Sequence, residues 1–180
     1  METYKQKYTK LQISIFRLLC IKADLALNQS EIAEVLDATP SGVAKALREL
    51  KKDKLIIVKK HDRINLIEIS LNRTTRVMRL KQIENLKQIY SLNLIEFLEE
   101  SFPGTTIILF GSYSKGEDIV TSDIDIAIIG SKEKEINRKS FEKKLERQIN
   151  INFYEHLGEI DKELKENICN GIVLSGGIDL

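Results

Sequence analysis

Between residues 109 and 130 the chain runs LeuPheGlySerTyrSerLysGlyGluAspIleValThrSerAspIleAspIleAlaIleIleGly, and this stretch restricts the fold more than any other. Residues 105–110, ThrThrIleIleLeuPhe, read as a buried strand, with Gly111 and Ser112 directly after it and Asp123 and Asp125 opening a second strand. Side chains at i and i+2 of a strand share a face, so the two carboxylates project together while Ile124 and Ile126 enter the core. Two neighbouring carboxylates repel, and a hard cation such as Mg2+, whose usual ligands are carboxylates and substrate phosphates, relieves that repulsion. Gly111 lets the backbone approach a phosphate with no Cβ in the way, and Ser112 offers a hydroxyl and an amide to the same oxygens. Each element alone also suits an ordinary turn or the solvated face of an edge strand. In this order they describe a metal-nucleotide site.

GlySer, ten intervening residues and AspIleAsp resemble the nucleotidyltransferase superfamily of polymerase-beta type, above all its minimal nucleotidyltransferase branch. The resemblance covers about residues 92–180, including the closing AsnGlyIleValLeuSerGly. It implies transfer of a nucleoside monophosphate from a nucleoside triphosphate, ATP first among them, to a hydroxyl, with Mg2+ or Mn2+ as cofactor. Some members act as antitoxins that adenylylate a partner toxin, so a toxin or other protein joins the implied partners. By position, the resemblance implies that Gly111, Ser112 and Lys115 bind the nucleotide and that Asp123 and Asp125 are the catalytic, metal-holding carboxylates. A third carboxylate is expected on the next strand, residues 148–154. There Ile149, Ile151 and Phe153 form the core face and Asn150 and Asn152 the site face, so Asn150 stands at the third carboxylate's position. An amide can lend a metal one neutral oxygen but cannot take a proton from an attacking hydroxyl. Two classes of function therefore stay open: an enzyme, or a catalytically degenerate protein that senses nucleotide as a transcription regulator or binds protein as an antitoxin does.

The front of the chain carries a different pattern. Leu11, Ile15, Leu18 and Leu19 recur as on an amphipathic helix, placed over residues 4–24. Ser30 is the expected N-cap of a second helix, and Thr39 of a third with Pro40 at its first position. In that third helix Val43, Leu47 and Leu50 face inward, leaving Ser41, Lys45, Arg48 and Lys52 outside. Two β-rich runs, residues 55–58 and 64–69, flank the basic stretch Lys59, Lys60, His61, Asp62, Arg63. Three helices and a basic hairpin resemble the winged helix-turn-helix domains of prokaryotic transcription regulators. The resemblance covers about residues 8–70 and implies DNA binding, with Ser41, Lys45 and Arg48 in the major groove and Lys59, Lys60 and Arg63 on the backbone. Charge agrees with this: residues 1–79 hold 16 basic and 9 acidic side chains, residues 80–180 hold 12 and 18.

Between the modules, residues 74–101 contain no Pro or Gly, and Val77, Leu80, Ile83, Leu86 and Tyr90 recur at helical spacing. This predicts a long helix or two abutting ones, whose stripe packs within the chain or forms a homodimer interface. The expected organisation is α+β with two domains: a winged helix over residues 1–72, a connecting helix over 73–101, and a small α/β nucleotidyltransferase-like domain with a mixed sheet over 102–180. Residues 132–147 are expected to form a covering helix, and Cys20 and Cys169 to be buried reduced thiols. No apolar run of membrane-spanning length and no signal-peptide core is present, so a cytoplasmic location without membrane contact is expected.

Overall fold

The computed structural model describes residues 7–61 and 66–178. The fold is α+β and divides into two units, Met1–Val77 and Met78–Leu180.

The first unit is a winged helix. Helix α1, Lys10–Ile21, starts at Thr9, whose hydroxyl accepts from the Gln12 amide while the Gln12 side chain accepts from the Thr9 amide. This reciprocal cap satisfies two amides that a helix start leaves open, and it begins the helix later than the apolar stripe alone implies. Helix α2, Gln29–Val35, is capped by Asn28 rather than Ser30. Asn28 Oδ1 accepts from the Ser30 and Glu31 amides, and Glu31 reaches back to the Asn28 amide at 2.7 Å. Helix α3, Pro40–Lys52, starts as expected at Thr39, which accepts from the Gly42 amide. Strands β1, Ile56–His61, and β2, Leu66–Leu71, pair antiparallel from Ile56–Leu71 outward, and a bridge from Leu27 to Ile69 adds a third segment to the small sheet. Ile15, Leu19, Ile32, Val43, Leu47, Leu50, Ile69 and Leu71 are buried.

The division between the units falls within α4, Thr75–Ser91. The long helical pattern is two helices, for Asn93 adopts a left-handed turn at φ 57° and α5 restarts over Leu94–Ser101. Asn tolerates that conformation better than most residues with a Cβ. Strand β3, Thr106–Phe110, leads into the one-turn helix α6, Gly111–Lys115. Then follow β4, Ile124–Ile129; α7, Lys139–Leu145; β5, Ile149–Tyr154; a 3-10 turn, Leu157–Glu159; α8, Lys162–Cys169; and β6, Ile172–Ser175. The sheet order is β5-β4-β3-β6, with β4 and β5 parallel and the other pairs antiparallel, hence mixed.

One face of this sheet (Ile107, Leu109, Ile124, Ile126, Ile128, Ile149) is sealed by Ile89, Leu94, Ile95, Leu98 and Leu145. The other carries Ile108, Phe110 and Ala127 against Ile160 and Ile168. The covering helix is shorter than the charge pattern implies. α7 starts only at Lys139, whose amide donates to Asn137 Oδ1, while residues 132–138 run as an irregular strap on which Lys134 donates to Ser101 O at 3.2 Å. Cys20 is buried as expected, but Cys169, next to the inward Ile168 at the end of α8, is exposed. Among the described residues no helix is long and apolar enough to cross a membrane.

Candidate functional site

Asp123 immediately precedes β4 and Asp125 is its second residue, so period-2 alternation puts both on the sheet face that carries Ala127. Across that face Asp125 is paired with Phe110 of β3 on one side and with Asn150 of β5 on the other. The two carboxylates are bridged by one amide: Asn150 Nδ2 donates to Asp123 Oδ2 at 3.0 Å and to Asp125 Oδ1 at 3.4 Å. Burial pushes the Asp125 carboxyl above its ordinary value; the Asn150 hydrogen bond pulls it back down, and the charge of Asp123 adds to the upward push.

Gly111 turns the chain out of β3 at φ +73°, in the left-handed region. A Cβ built on it would lie 2.5 Å from Asp125 Oδ2, so both conformation and space call for glycine. Gly111, expected from the sequence to let a phosphate approach, has the Asp125 carboxylate as its first neighbour in the structure. Ser112 follows on α6, and the turn is closed by Ser114 Oγ donating to Gly111 O at 2.8 Å. Gly111, Ser112, Asp123, Asp125 and Asn150 thus gather around one end of β4.

Lys115 sits elsewhere. It ends α6, is exposed, and donates to Asn167 Oδ1 of α8 at 3.4 Å, lining a cavity of about 440 Å³ with Asp161, Glu163, Leu164 and Asn167. Sequence reasoning missed Asn167, 52 positions away, because nothing local marks it. Asn152, also expected on the site face, pairs with Ala127, one step of the ladder further along β4 than the carboxylates.

Among the described residues no group of three or more His, Cys, Asp or Glu gathers as a metal site. Two carboxylates and a carboxamide are nonetheless oxygen donors suited to a hard cation that takes its remaining ligands from phosphates and water. A half-turn of the Asn150 amide would present Oδ1 in place of Nδ2.

In the winged helix, Ser41, Lys45, Arg48 and Lys52 are exposed along α3 while Val43, Leu47 and Leu50 are buried. Lys59 and Lys60 are exposed on β1, opposite Glu68 and Ile67. Arg63 lies outside the described residues.

Residues 92–174 match the family model described as a nucleotidyltransferase domain. The matched residues lie in the second unit, behind the three helices and hairpin of the first. No match was found among curated proteins. Similar solved structures include the adhesin competence repressor AdcR from Streptococcus pyogenes, 22% identical over 54% of this chain and 70% of that chain with a TM-score of 0.42. A ZitR variant from Lactococcus lactis is 22% identical over 57% of this chain and 68% of that one, TM-score 0.41. MepR, a transcription regulator of the Staphylococcus aureus multidrug efflux pump MepA, is 23% identical over 52% and 66%, TM-score 0.41.

Proposed function

We propose that this chain is a Mg2+-dependent nucleotidyltransferase that moves a nucleoside monophosphate from a triphosphate, ATP first among them, to a hydroxyl of a protein or nucleic acid, and that its winged helix binds DNA. The observation that carries the reading is the Gly111 turn lying against Asp125, with Asp123 on the same face. In this reading Gly111 and Ser112 hold the triphosphate by backbone and hydroxyl, and Asp123 and Asp125 hold Mg2+ or Mn2+. Bound there, the ion would polarise the phosphate oxygens and offset the charge that develops on them. Attack of the acceptor oxygen on the α-phosphorus breaks its bond to the bridging oxygen, and pyrophosphate leaves. Asn150 orients the two carboxylates but cannot take the acceptor's proton, which passes to solvent; turnover is accordingly slow.

The bridging Asn150 also favours a second reading, in which the domain binds nucleotide without transferring it. One experiment separates the two. Purified protein is incubated with Mg2+ and each labelled nucleoside triphosphate, alone and with cell extract, beside Asp123→Asn. Label on protein or nucleic acid with wild type alone supports the enzyme; Mg2+-dependent nucleotide binding without transfer supports the sensor; neither transfer nor binding rejects both.

For the winged helix, Lys45→Ala with Arg48→Ala should weaken DNA binding and flatten the slope of log affinity against log salt by about one for each lost phosphate contact. A fluorescence-anisotropy titration at three salt concentrations measures it. An unchanged slope would remove α3 from the DNA interface.

A further inference from the structure

Ten residues separate Ser112 from Asp123, and residues 116–123 form neither helix nor strand. A segment so irregular must be held by something if it is to set the spacing between the Gly111–Ser112 turn and the carboxylates. Its anchor is Asp118, 1% exposed, at the centre of a cluster of buried polar groups. The fully buried Lys81 Nζ of α4 is ion-paired and hydrogen-bonded to Asp118 Oδ1, and Asn85 Nδ2 donates to the same oxygen at 2.8 Å. Arg147 Nη2, from the segment just before β5, lies 3.8 Å from Asp118 Oδ2.

The α4 side chains reach further along the same loop. Asn85 Nδ2 also donates to Tyr113 O at 3.0 Å, and Gln82 Nε2 donates to Ser114 O at 2.6 Å, so α4 occupies the last carbonyls of α6. Gly116, at φ +71°, passes so close beneath α4 that a Cβ there would stand 2.7 Å from the Gln82 amide nitrogen. At the far end of the loop Ser122 Oγ accepts from the Ile119 amide at 2.9 Å, closing a turn directly before Asp123.

Three limbs are therefore tied together through Asp118 and the α4 side chains that contact it: α6, held by Asn85 and Gln82, which carries Gly111 and Ser112; the loop, which delivers Asp123 and Asp125; and the approach to β5, which delivers Asn150. We propose that Asp118, with Lys81, Asn85 and Arg147, is a positioning cluster that fixes the nucleotide-holding turn relative to the metal-holding carboxylates; this rests on the nucleotidyltransferase reading above. A buried ion pair stabilises a fold little better than well-packed apolar side chains of the same volume, so stability alone does not account for a lysine, an aspartate and an arginine in this place. What such a cluster supplies is one geometry, because each charge tolerates few arrangements of its partners in a low-dielectric interior.

The test compares Asp118→Asn and Asn85→Ala with Leu98→Ala, a core truncation on the sheet face turned away from the carboxylates. Asn85→Ala removes one hydrogen bond to the loop and one to α6 without leaving a buried charge unpaired, and it carries the test if Asp118→Asn does not fold. The readouts are melting temperature, amide hydrogen exchange over residues 116–123, and affinity for ATP with Mg2+. Both cluster variants are expected to exchange faster over residues 116–123 and to bind ATP about tenfold or more weakly, while Leu98→Ala loses comparable stability and binds within about twofold of wild type. Cluster variants whose affinity follows melting temperature along the same line as Leu98→Ala, or whose exchange over 116–123 is unchanged, would overturn the proposal. Wild-type protein that binds no nucleotide overturns the nucleotidyltransferase reading itself, whereas wild-type binding with unaltered variants overturns the cluster alone.

Discussion

Gly111→Ala should weaken Mg2+-dependent nucleotide binding about tenfold or more while leaving a folded protein. Two costs coincide at this position. Alanine in the left-handed region where Gly111 sits, at φ +73°, costs about 1–2 kcal/mol in the native state. Its methyl group would also arrive 2.5 Å from Asp125 Oδ2, closer than a Cβ and a carboxylate oxygen can stand. The backbone of Asp125 is paired with Phe110 and with Asn150, so the strand cannot step aside. The carboxylate must swing instead, and with it goes the oxygen that faces the Gly111 turn. Affinity for ATP with Mg2+ should fall by about tenfold or more, and the melting temperature by about 2–8 °C. Isothermal titration and differential scanning fluorimetry give both numbers. Affinity within twofold of wild type would show that the turn and the carboxylate do not work as one unit.

Asp125→Asn should lose transfer and gain stability. Asp125 is half-buried beside Asp123, and its folded-state carboxyl is raised above the ordinary value mainly by burial. A carboxyl raised on folding penalises the folded state at pH values above its folded pKa, and the penalty fades as pH falls through that value. An amide has nothing to ionise, so the variant escapes the penalty. Its melting temperature should exceed that of wild type at neutral pH, and the gap should close as the pH is lowered through the carboxylate range. Mg2+ with nucleotide should raise the wild-type melting temperature and leave that of Asp125→Asn in place, since a ligand stabilises only the state it binds. Transfer should drop by more than about a hundredfold, because even residues that merely orient a metal's ligands cost ten- to a hundredfold. A variant that melts lower than wild type at every pH would refute the argument from burial.

The parts of this molecule legible from sequence are those whose signal is local. Thr39 followed by Pro40 marks the start of α3, and the spacing of Val43, Leu47 and Leu50 marks its inner face. Asp123 and Asp125 share a face because they stand two positions apart on a strand, and Gly111 directly follows the apolar run that marks β3. Near misses came where two residues compete for one role: Asn28 and Ser30 are both good caps, and Glu31, three positions after Asn28, decides between them. The break at Asn93 carries no Pro or Gly to announce it, and its left-handed turn is a tertiary outcome. Lys81 could not be read at all. On a helix with apolar residues on one side, a lysine reads as solvated, and its partner Asp118 lies 37 positions further on. The same holds for Lys115, whose resemblance-based role points to a phosphate while its hydrogen bond in the structure goes to Asn167.

The amide between Asp123 and Asp125 takes the place that a third charge would otherwise fill. A third carboxylate at this end of β4 would add to the repulsion between Asp123 and Asp125. With Asn150 in register with Asp125, its amide instead donates to both. The two carboxylates are thus held in place by an amide that the chain itself supplies.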